Sequence, residues 1–171
     1  MRRFFLLPLA LCAFAAQAQT SDAPTREHFA PRGMEASYHH WHYSPVVKIG
    51  DMVIVSGIPA GPGDTYEAQV RRMFEALKAH LATAGATMAD VVELTSYHAA
   101  ANDSAAFQAE FAKFAPIHHE YFPDHYPAWS AVGVTALLQK GAPVELRAVA
   151  MIGSGRRPKA DIPPPLPAPA K

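Results

Sequence analysis

Residues 126–152 read YPAWSAVGVTALLQKGAPVELRAVAMI, and this stretch decides the fold of the chain. Its residue types predict two strands, over 128–134 and 144–152, which we expect to pair as a hairpin. In the second run an apolar residue recurs at every other position, so one face of that strand should be buried. The buried stripe consists of Val144, Leu146, Ala148, Ala150 and Ile152. Glu145 and Arg147 share the opposite face, which makes the strand either a sheet edge over solvent or the floor of a polar pocket.

Three further β-forming runs precede this stretch, at residues 46–49, 52–56 and 91–97. Gly50 and Asp51 predict a tight turn between the first two of them. Two amphipathic helices separate the runs, so the predicted element order is ββαβαββ. Strands that alternate with helices indicate a mixed, partly parallel sheet, and the predicted fold class is α+β.

Both predicted helices have local start signals. Asp64 or Thr65 should cap the first helix, with Glu67 closing a capping box, and Gly85 should end this helix. Asp103, together with the residue before it, should cap the second. Their apolar faces carry Val70, Met73, Phe74, Leu77 and Leu81 in the first helix and Phe107, Phe111 and Phe114 in the second. Two helices can cover only one face of such a sheet, so we expect oligomerisation to bury the other.

The N-terminal residues 1–18 have the pattern of a secretory signal peptide. Arg2 and Arg3 precede an apolar run that is too short to span a membrane, and small residues at positions 16 and 18 match a signal-peptidase site. We therefore predict cleavage after Ala18 and a periplasmic or secreted protein. The chain has one cysteine, Cys12, inside this segment. Leu11 before it argues against a lipid anchor, and the mature chain would form no disulfide.

The predicted globular domain covers residues 43–152, with a tail on each side. Residues 19–42 are polar and show no periodicity, which predicts a flexible arm. Residues 153–171 are rich in proline and predict a disordered tail. Three histidines of the arm, His39, His40 and His42, invite a metal-site hypothesis, but no carboxylate or thiol lies at a fitted spacing nearby. We predict no metal there and a ring-rich packing segment instead.

The charge balance argues against polyanionic partners. The chain has 15 Lys and Arg against 15 Asp and Glu, so nothing predicts bulk attraction to nucleic acid or to an anionic membrane. We expect a small-molecule ligand and further copies of the same chain as partners. No cofactor-binding motif is evident, and we predict none.

A series of short motifs in residues 43–152 resembles one protein family. The motifs are Tyr43-Ser44, Val55-Ser56-Gly57-Ile58-Pro59, Ala84-Gly85-Ala86, Pro127-Ala128-x-Ser130 and Val144-Glu145-Leu146. In this order and spacing they resemble the Rid family, the YjgF-type reactive intermediate deaminases, which are also called L-PSP endoribonucleases. The resemblance implies a chorismate-mutase-like fold with two helices on one face of a mixed sheet. It also implies a homotrimer with ligand clefts between adjacent subunits.

Six residues are predicted to form the site. The resemblance implies Glu145 as the catalytic acid and Tyr43, Gly57 and Ser130 as substrate-binding residues, while Trp129 and Arg147 depart from the family pattern and are predicted to bind substrate in their own ways. Trp129 stands where family members that hydrolyse 2-imino acids have an arginine, which grips the substrate carboxylate. An indole cannot do this, so the sequence argues against a 2-imino-acid substrate unless Arg147 supplies the charge. Each of these three residues also has a purely structural interpretation. Arg147 would form a salt bridge with Glu145 without binding a ligand, and Trp129 would only pack a subunit interface. Glu145 would belong to a cross-strand ion pair at the surface. Residues 117–126 form a longer segment than the corresponding family loop.

Two functions of different kinds remain open at this point. The first is an exported, cofactor-independent hydrolase or deaminase of reactive imines, enamines or related small metabolites. The second is a non-catalytic trimer that binds a small ligand. A ribonuclease activity finds no support, since the sequence predicts no basic groove.

Overall fold

The computed structural model describes residues 24–99, 103–156 and 162–166. The strands are β1 (Arg26–Phe29), β2 (Val46–Ile49), β3 (Met52–Pro59), β4 (Val91–His98), β5 (Ala128–Gly133) and β6 (Val144–Met151). The α-helices are α1 (Glu35–His39), α2 (Tyr66–Thr83) and α3 (Ser104–Tyr121). Single turns of 3₁₀-helix occupy Met88–Asp90 and Ser154–Arg156.

The six strands form one mixed sheet in the order β1-β2-β3-β6-β4-β5. Strands β4 and β5 pair in parallel, while all other neighbours are antiparallel. Strands β4 and β5 can pair in parallel because α3, which connects them, returns the chain to the end of the sheet at which β4 begins. The predicted α+β class with a mixed sheet is therefore confirmed.

The predicted hairpin between β5 and β6 is wrong, because β4 lies between these two strands. The connecting residues 134–143 form a longer segment than the tight hairpin turns of about two to five residues. This segment passes the end of β4, where the Val134 amide donates to the His98 carbonyl oxygen at 3.0 Å. Strand β6 consequently has a partner on both sides, β3 and β4.

The predicted N-terminal arm contains regular structure in its described part. Strand β1 pairs antiparallel with β2, and α1 follows it, so the observed order has one strand and one short helix more than ββαβαββ. The first three residues of β1 are exposed, and backbone pairing rather than an apolar stripe holds this edge strand. A sequence pattern could not reveal such a strand. The predicted signal peptide, residues 1–18, lies outside the described residues, as do 157–161 and 167–171 of the predicted tail.

The main core lies between the sheet and helices α2 and α3. The four inward side chains of β6, Val144, Leu146, Ala148 and Ala150, are fully buried, as the alternation predicts. The predicted apolar face of α2 is buried as well. Of the predicted α3 stripe, Phe114 is fully buried, whereas Phe107 and Phe111 are only partly so.

The helix ends follow most of the predicted signals. The Thr65 hydroxyl accepts a hydrogen bond from the Ala68 amide at 3.1 Å, so Thr65 is the N-cap of α2. The predicted capping box of Asp64 and Glu67 is wrong, because it would require the cap to lie one residue earlier. Gly85 ends the helix with a φ of +80°, a conformation that favours glycine.

Among the described residues, helices α2 and α3 leave the other face of the sheet open, as predicted from the helix count, and α1 reaches only its edge, where Tyr38 packs against His28 of β1. Val132 on β5 and Met151 on β6 keep 40% and 41% of their surface exposed there. Alternation places Glu145 and Arg147 on the same uncovered face, opposite to the buried stripe of β6. The sheet therefore has a covered, apolar side and an uncovered side that mixes apolar and charged groups.

A chain of polar side chains runs through the covered side of the sheet. The indole N–H of Trp129 donates to Ser96 Oγ at 3.0 Å, and Ser96 Oγ lies 2.8 Å from His98 Nε2. His98 Nδ1 lies 2.7 Å from Glu110 Oε2, and the Tyr66 hydroxyl donates to Glu110 Oε1. Ser96 and His98 are fully buried and Glu110 nearly so, which makes each of these hydrogen bonds important for the core.

Burial favours the uncharged form of both titratable members of this network. It raises the pKa of Glu110 to about 7, against a small opposing effect of Lys113, and it lowers the pKa of His98 to about 4. Below pH 7 the protonated Glu110 can donate to His98 Nδ1, so that His98 Nε2 carries its own proton towards Ser96. Above pH 7 the ionised Glu110 accepts from Nδ1–H instead, and the Ser96 hydroxyl can donate to Nε2.

We predict that Glu110→Gln removes a pH-dependent part of the stability. The wild-type pKa of Glu110 is raised from 4.5 when unfolded to about 7 when folded, so the stability it contributes is present below pH 4.5 and is lost as the pH rises through 7. Urea denaturation of wild type and variant from about pH 5 to pH 8 measures this. The difference between their free energies of unfolding should shrink as the pH rises. The contributions of all other titrating groups to the free energy of unfolding are the same in both proteins and cancel in this difference.

Glu120→Gln is the matched control, because Glu120 lies in an exposed ion pair with Arg71. Its difference from wild type should change little over the same pH range. A difference between wild type and Glu110→Gln that stays constant with pH would contradict the assigned role of Glu110.

Candidate functional site

Glu145 and Gly57 meet on neighbouring strands. Strand β3 has a bulge between Val55 and Ile58, which shifts its register against β6 and includes Gly57. A Cβ atom at Gly57 would collide with Glu145 Oε1. Glycine lets the carboxyl group lie directly against the backbone of β3, and a larger residue would displace this carboxyl group.

The surroundings of Glu145 make its carboxyl group less acidic. Its side chain is only partly exposed, and burial raises the pKa of this carboxyl group above 4.5. A carboxyl group with a raised pKa retains a proton closer to neutral pH and can act as a general acid. The chemistry predicted for Glu145 is therefore compatible with its surroundings.

Arg147 lies on the same face as Glu145 but pairs with a different acid. Its guanidinium Nη1 is 3.1 Å from Glu93 Oε1 on β4, and both side chains are partly exposed. The alternative prediction of a Glu145–Arg147 salt bridge is thus not what the structure shows. An exposed pair of this kind contributes about 1 kcal/mol or less to stability, so a competing anion could displace Glu93 from Arg147 at modest cost.

Ser130 lies farther from the acid than Gly57 and Arg147 do. Ser130 is exposed on β5 and pairs with Thr95, which in turn pairs with Arg147 across β4. Ser130 and Arg147 are therefore on the same face, two strands or roughly 10 Å apart. Tyr43 lies in the segment between α1 and β2, with 42% of its surface exposed, and its amide donates to the Ser37 carbonyl oxygen at 3.1 Å.

Trp129 lies on the opposite side of the sheet from these residues. It pairs in register with Leu94, which is buried under the helices, and its indole stacks on His118 with ring centroids 4.1 Å apart. A second stacking contact joins it to Phe111 at 5.1 Å. Within one subunit the structure thus brings Glu145, Gly57 and Arg147 together and separates Trp129 from them.

The sequence reasoning missed the polar network that holds Trp129. Ser96 and His98 occupy alternate positions of β4, on the face that Leu94 marks as buried. Two polar residues that interrupt an apolar stripe are a detectable signal for a buried polar site. Their acidic partner Glu110 comes from α3, and its approach depends on how that helix packs on the sheet.

The histidine-rich segment around α1 forms ring contacts. Tyr38 packs edge-on against His28 and His39, at 5.5 and 5.4 Å between ring centroids. Within residues 24–99, 103–156 and 162–166, no three His, Cys, Asp or Glu side chains come together in a way that could hold a metal ion. No helix in the described part of the chain is long and apolar enough to cross a membrane.

Comparisons with known proteins agree with this architecture. Residues 34–152 match the family model described as Endoribonuclease L-PSP. The RutC family protein YjgH of Escherichia coli is 33% identical over 128 residues, which are 71% of this chain and 92% of that protein. A protein of Salmonella typhimurium named 2-iminobutanoate/2-iminopropanoate deaminase is 35% identical over 115 residues, covering 64% of this chain and 86% of the relative.

A comparison with solved structures gives a relative of the same kind. The crystal structure of Rv2704 from Mycobacterium tuberculosis, described as a member of the YjgF/YER057c/UK114 family, superimposes with a TM-score of 0.63 at 32% identity. The superposition covers 75% of this chain and the whole of the mycobacterial chain. A family model that spans most of the chain, relatives above 30% identity and a shared fold lead to one conclusion: this chain belongs to the Rid (YjgF, endoribonuclease L-PSP) family.

Proposed function

We propose that this protein is a cofactor-independent hydrolase that converts small, uncharged imines or enamines into carbonyl compounds and ammonia. The observation that carries the proposal is the partly buried Glu145, whose pKa is raised and which lies against the bulge at Gly57. Deaminase names among the relatives support the reaction class. Gly57, Ser130 and Tyr43 would line the cleft, as the family resemblance implies.

The reaction needs a proton donor and a water molecule. Protonated Glu145 gives its proton to the imine nitrogen, and water adds to the carbon to form a protonated carbinolamine. After a proton moves from the added water to the amine nitrogen, the carboxylate takes the remaining hydroxyl proton, the C–N bond breaks, and ammonia leaves as the carbonyl forms. Imine and water are consumed and carbonyl and ammonia are produced, while Glu145 returns to its protonated state.

The charges around the acid favour an uncharged substrate. Trp129 cannot hold a carboxylate, and it faces the helices rather than Glu145. Arg147 lies about 7 Å along β6 from Glu145, but Glu93 neutralises it. A substrate carboxylate would have to compete with Glu93, whereas a neutral imine would not.

The proposal includes a homotrimer with clefts between subunits. The uncovered sheet face supports it, because apolar side chains such as Val132 and Met151 remain exposed on a single chain. We also propose export to the periplasm or beyond, from the signal-peptide pattern of residues 1–18. N-terminal sequencing of protein from a fractionated host tests export. A mature chain that starts at Gln19 supports it, and an intact N-terminus in the cytoplasm contradicts it.

A second candidate function is a trimer that binds a small ligand without turning it over. The replacement of the arginine by Trp129 and the neutralised Arg147 favour it, because both remove groups that would grip a 2-imino acid. The measurement that separates the two functions is turnover.

Glu145→Gln should abolish most of the hydrolase activity. The amide has nearly the same shape but no acidic proton, so we expect ammonia release from a freshly generated neutral imine to fall by about 10²-fold or more. A coupled ammonia assay on the purified protein measures it. Glu67→Gln, in an exposed position on α2, is the control and should keep full activity. Equal rates for Glu145→Gln and wild type would exclude Glu145 as the acid, and a silent wild type would favour the binding function.

Glu93→Gln should improve the use of a carboxylated substrate. The change releases Arg147 from its ion pair, and we expect the KM for 2-iminobutanoate to fall about fivefold, the equivalent of one exposed ion pair. The double variant Glu93→Gln/Arg147→Ala should lose this gain. A gain that survives in the double variant would show that Arg147 does not contact the carboxylate.

Val132→Glu should dissociate the proposed trimer, because it places a charge on the uncovered face. Light scattering coupled to size exclusion gives the mass of the assembly. Val132→Thr keeps the branched shape and should remain trimeric. A wild type that is monomeric at micromolar concentration would refute the proposed assembly.

A further inference from the structure

Tyr97 is the cross-strand neighbour of Glu145 on β4. The register between β4 and β6 pairs Tyr97 with Glu145, and the register between β3 and β6 pairs Pro59 with Glu145. Directly opposed residues of an antiparallel pair share one face of the sheet, with their Cβ atoms about 4.5 to 5.5 Å apart. Tyr97 therefore lies beside the proposed acid on the uncovered face, although none of the motifs that indicate the family includes it.

The hydroxyl group of Tyr97 is free to bind a ligand. The side chain is partly exposed, and its hydroxyl has no hydrogen-bond partner among residues 24–99, 103–156 and 162–166. The carboxyl group of Glu145 likewise has no hydrogen-bond partner within the same ranges. Neither group is fully enclosed, so water reaches both of them. Two accessible polar groups without protein partners therefore lie on neighbouring strands of one face.

The two groups lie on opposite sides of β6. The bulge of β3 lets the carboxyl group of Glu145 lean over Gly57, where Glu145 Oε1 takes the position that a Cβ atom of residue 57 would need. Tyr97 instead belongs to β4, which flanks β6 on the other side. Two strands that flank a third are roughly 10 Å apart. The space above β6 is therefore wide enough for a C=N group and one water molecule.

The proposed reaction needs a water molecule at the imine carbon while Glu145 protonates the nitrogen. A phenolic hydroxyl suits this task, because it both donates and accepts a hydrogen bond. It can accept a hydrogen from the water, which leaves an oxygen lone pair pointing at the carbon. A positioned water reacts faster than bulk water, because its loss of translational and rotational freedom has already occurred on binding. Pro59 and Gly57, the neighbours of Glu145 on β3, have no polar side-chain group that could replace the hydroxyl.

We infer that the Tyr97 hydroxyl binds the water molecule that attacks the imine carbon while Glu145 protonates the imine nitrogen. The water oxygen forms the new bond to carbon, and the electron pair of the C=N π bond takes the proton of Glu145. Tyr97 keeps its own proton and is neither base nor nucleophile, so the balance of the proposed reaction is unchanged. This role of Tyr97 rests on the proposed hydrolase function and adds to it a residue that the family motifs do not supply.

Tyr97→Phe removes the hydroxyl and keeps the ring, so the fold should be retained, and an unchanged midpoint of urea denaturation checks this. We expect kcat to fall about tenfold and KM to stay the same, because the substrate keeps its own contacts. Benzaldimine, generated in the assay from benzylamine by a flavin amine oxidase, is the neutral imine. Rates of ammonia release above the uncatalysed rate, at imine levels set by the amount of oxidase, give both constants for the purified full-length protein.

Tyr121→Phe is the matched control. Tyr121 lies on α3, on the covered side of the sheet, and its hydroxyl donates to the Arg71 carbonyl oxygen at 3.3 Å. The substitution removes the same atom away from Glu145, so kcat and KM should stay at the wild-type values. The pH at which kcat/KM falls, as Glu145 loses its proton, should be the same in wild type and Tyr97→Phe, since the structure shows no hydrogen bond between the two side chains.

Other results would overturn this role of Tyr97. Equal kcat values for wild type and Tyr97→Phe, together with an inactive Glu145→Gln, would remove Tyr97 from the reaction and leave the hydrolase function standing. A raised KM at unchanged kcat would show that the hydroxyl contacts the substrate instead of the water. A shifted pH dependence would show that it acts through Glu145, and a wild type without turnover would refute the hydrolase function and this role together.

Discussion

The alternation of side chains along β6 is the constraint on which the rest of the structure depends. Its inward residues Val144, Leu146, Ala148 and Ala150 are fully buried, and its backbone pairs with β3 on one side and β4 on the other. Because successive side chains in a strand point to opposite faces, burial of this stripe forces Glu145 and Arg147 onto the uncovered face. A shift of one residue in register would bury both charges and expose the apolar stripe, so packing specifies this register strongly.

The sheet therefore separates two kinds of chemistry. The uncovered face holds the acid Glu145 at the bulge of β3 and the exposed ion pair of Arg147 and Glu93. The covered face holds aromatic rings and neutral imidazoles, because helices α2 and α3 exclude water from it. Trp129 belongs to this second environment, since its pairing with Leu94 turns it towards α3. Trp129 thus completes an apolar ring cluster with side chains of α3.

The buried polar network connects the sheet to both long helices. Glu110 of α3 accepts a hydrogen bond from Tyr66 of α2 and lies within hydrogen-bond distance of His98 on β4. Burial shifts the pKa values of Glu110 and His98 towards the uncharged forms, which lowers the cost of holding these two groups in the core. The indole donor of Trp129 lies at the end of this network, so hydrogen bonds through Ser96 and His98 link it to the Glu110 carboxyl group on α3.

Local patterns in the sequence determined the strand β6, the apolar face of α2, the caps at Thr65 and Asp103 and the turn at Gly85. These features depend on residues within one or two turns of each other, where periodicity and backbone preference act directly. Motif order also identified the family and assigned Glu145 and Gly57 to one predicted cleft. Only the tertiary structure decided that β4 separates β5 from β6, that β1 joins the sheet, and that Trp129 faces away from Glu145. A strand pattern gives the alternation within one strand, but the face that each strand turns to the core depends on its partner and register. Those pairings join residues far apart in sequence, and their free energy comes from the packing of the complete sheet against its helices.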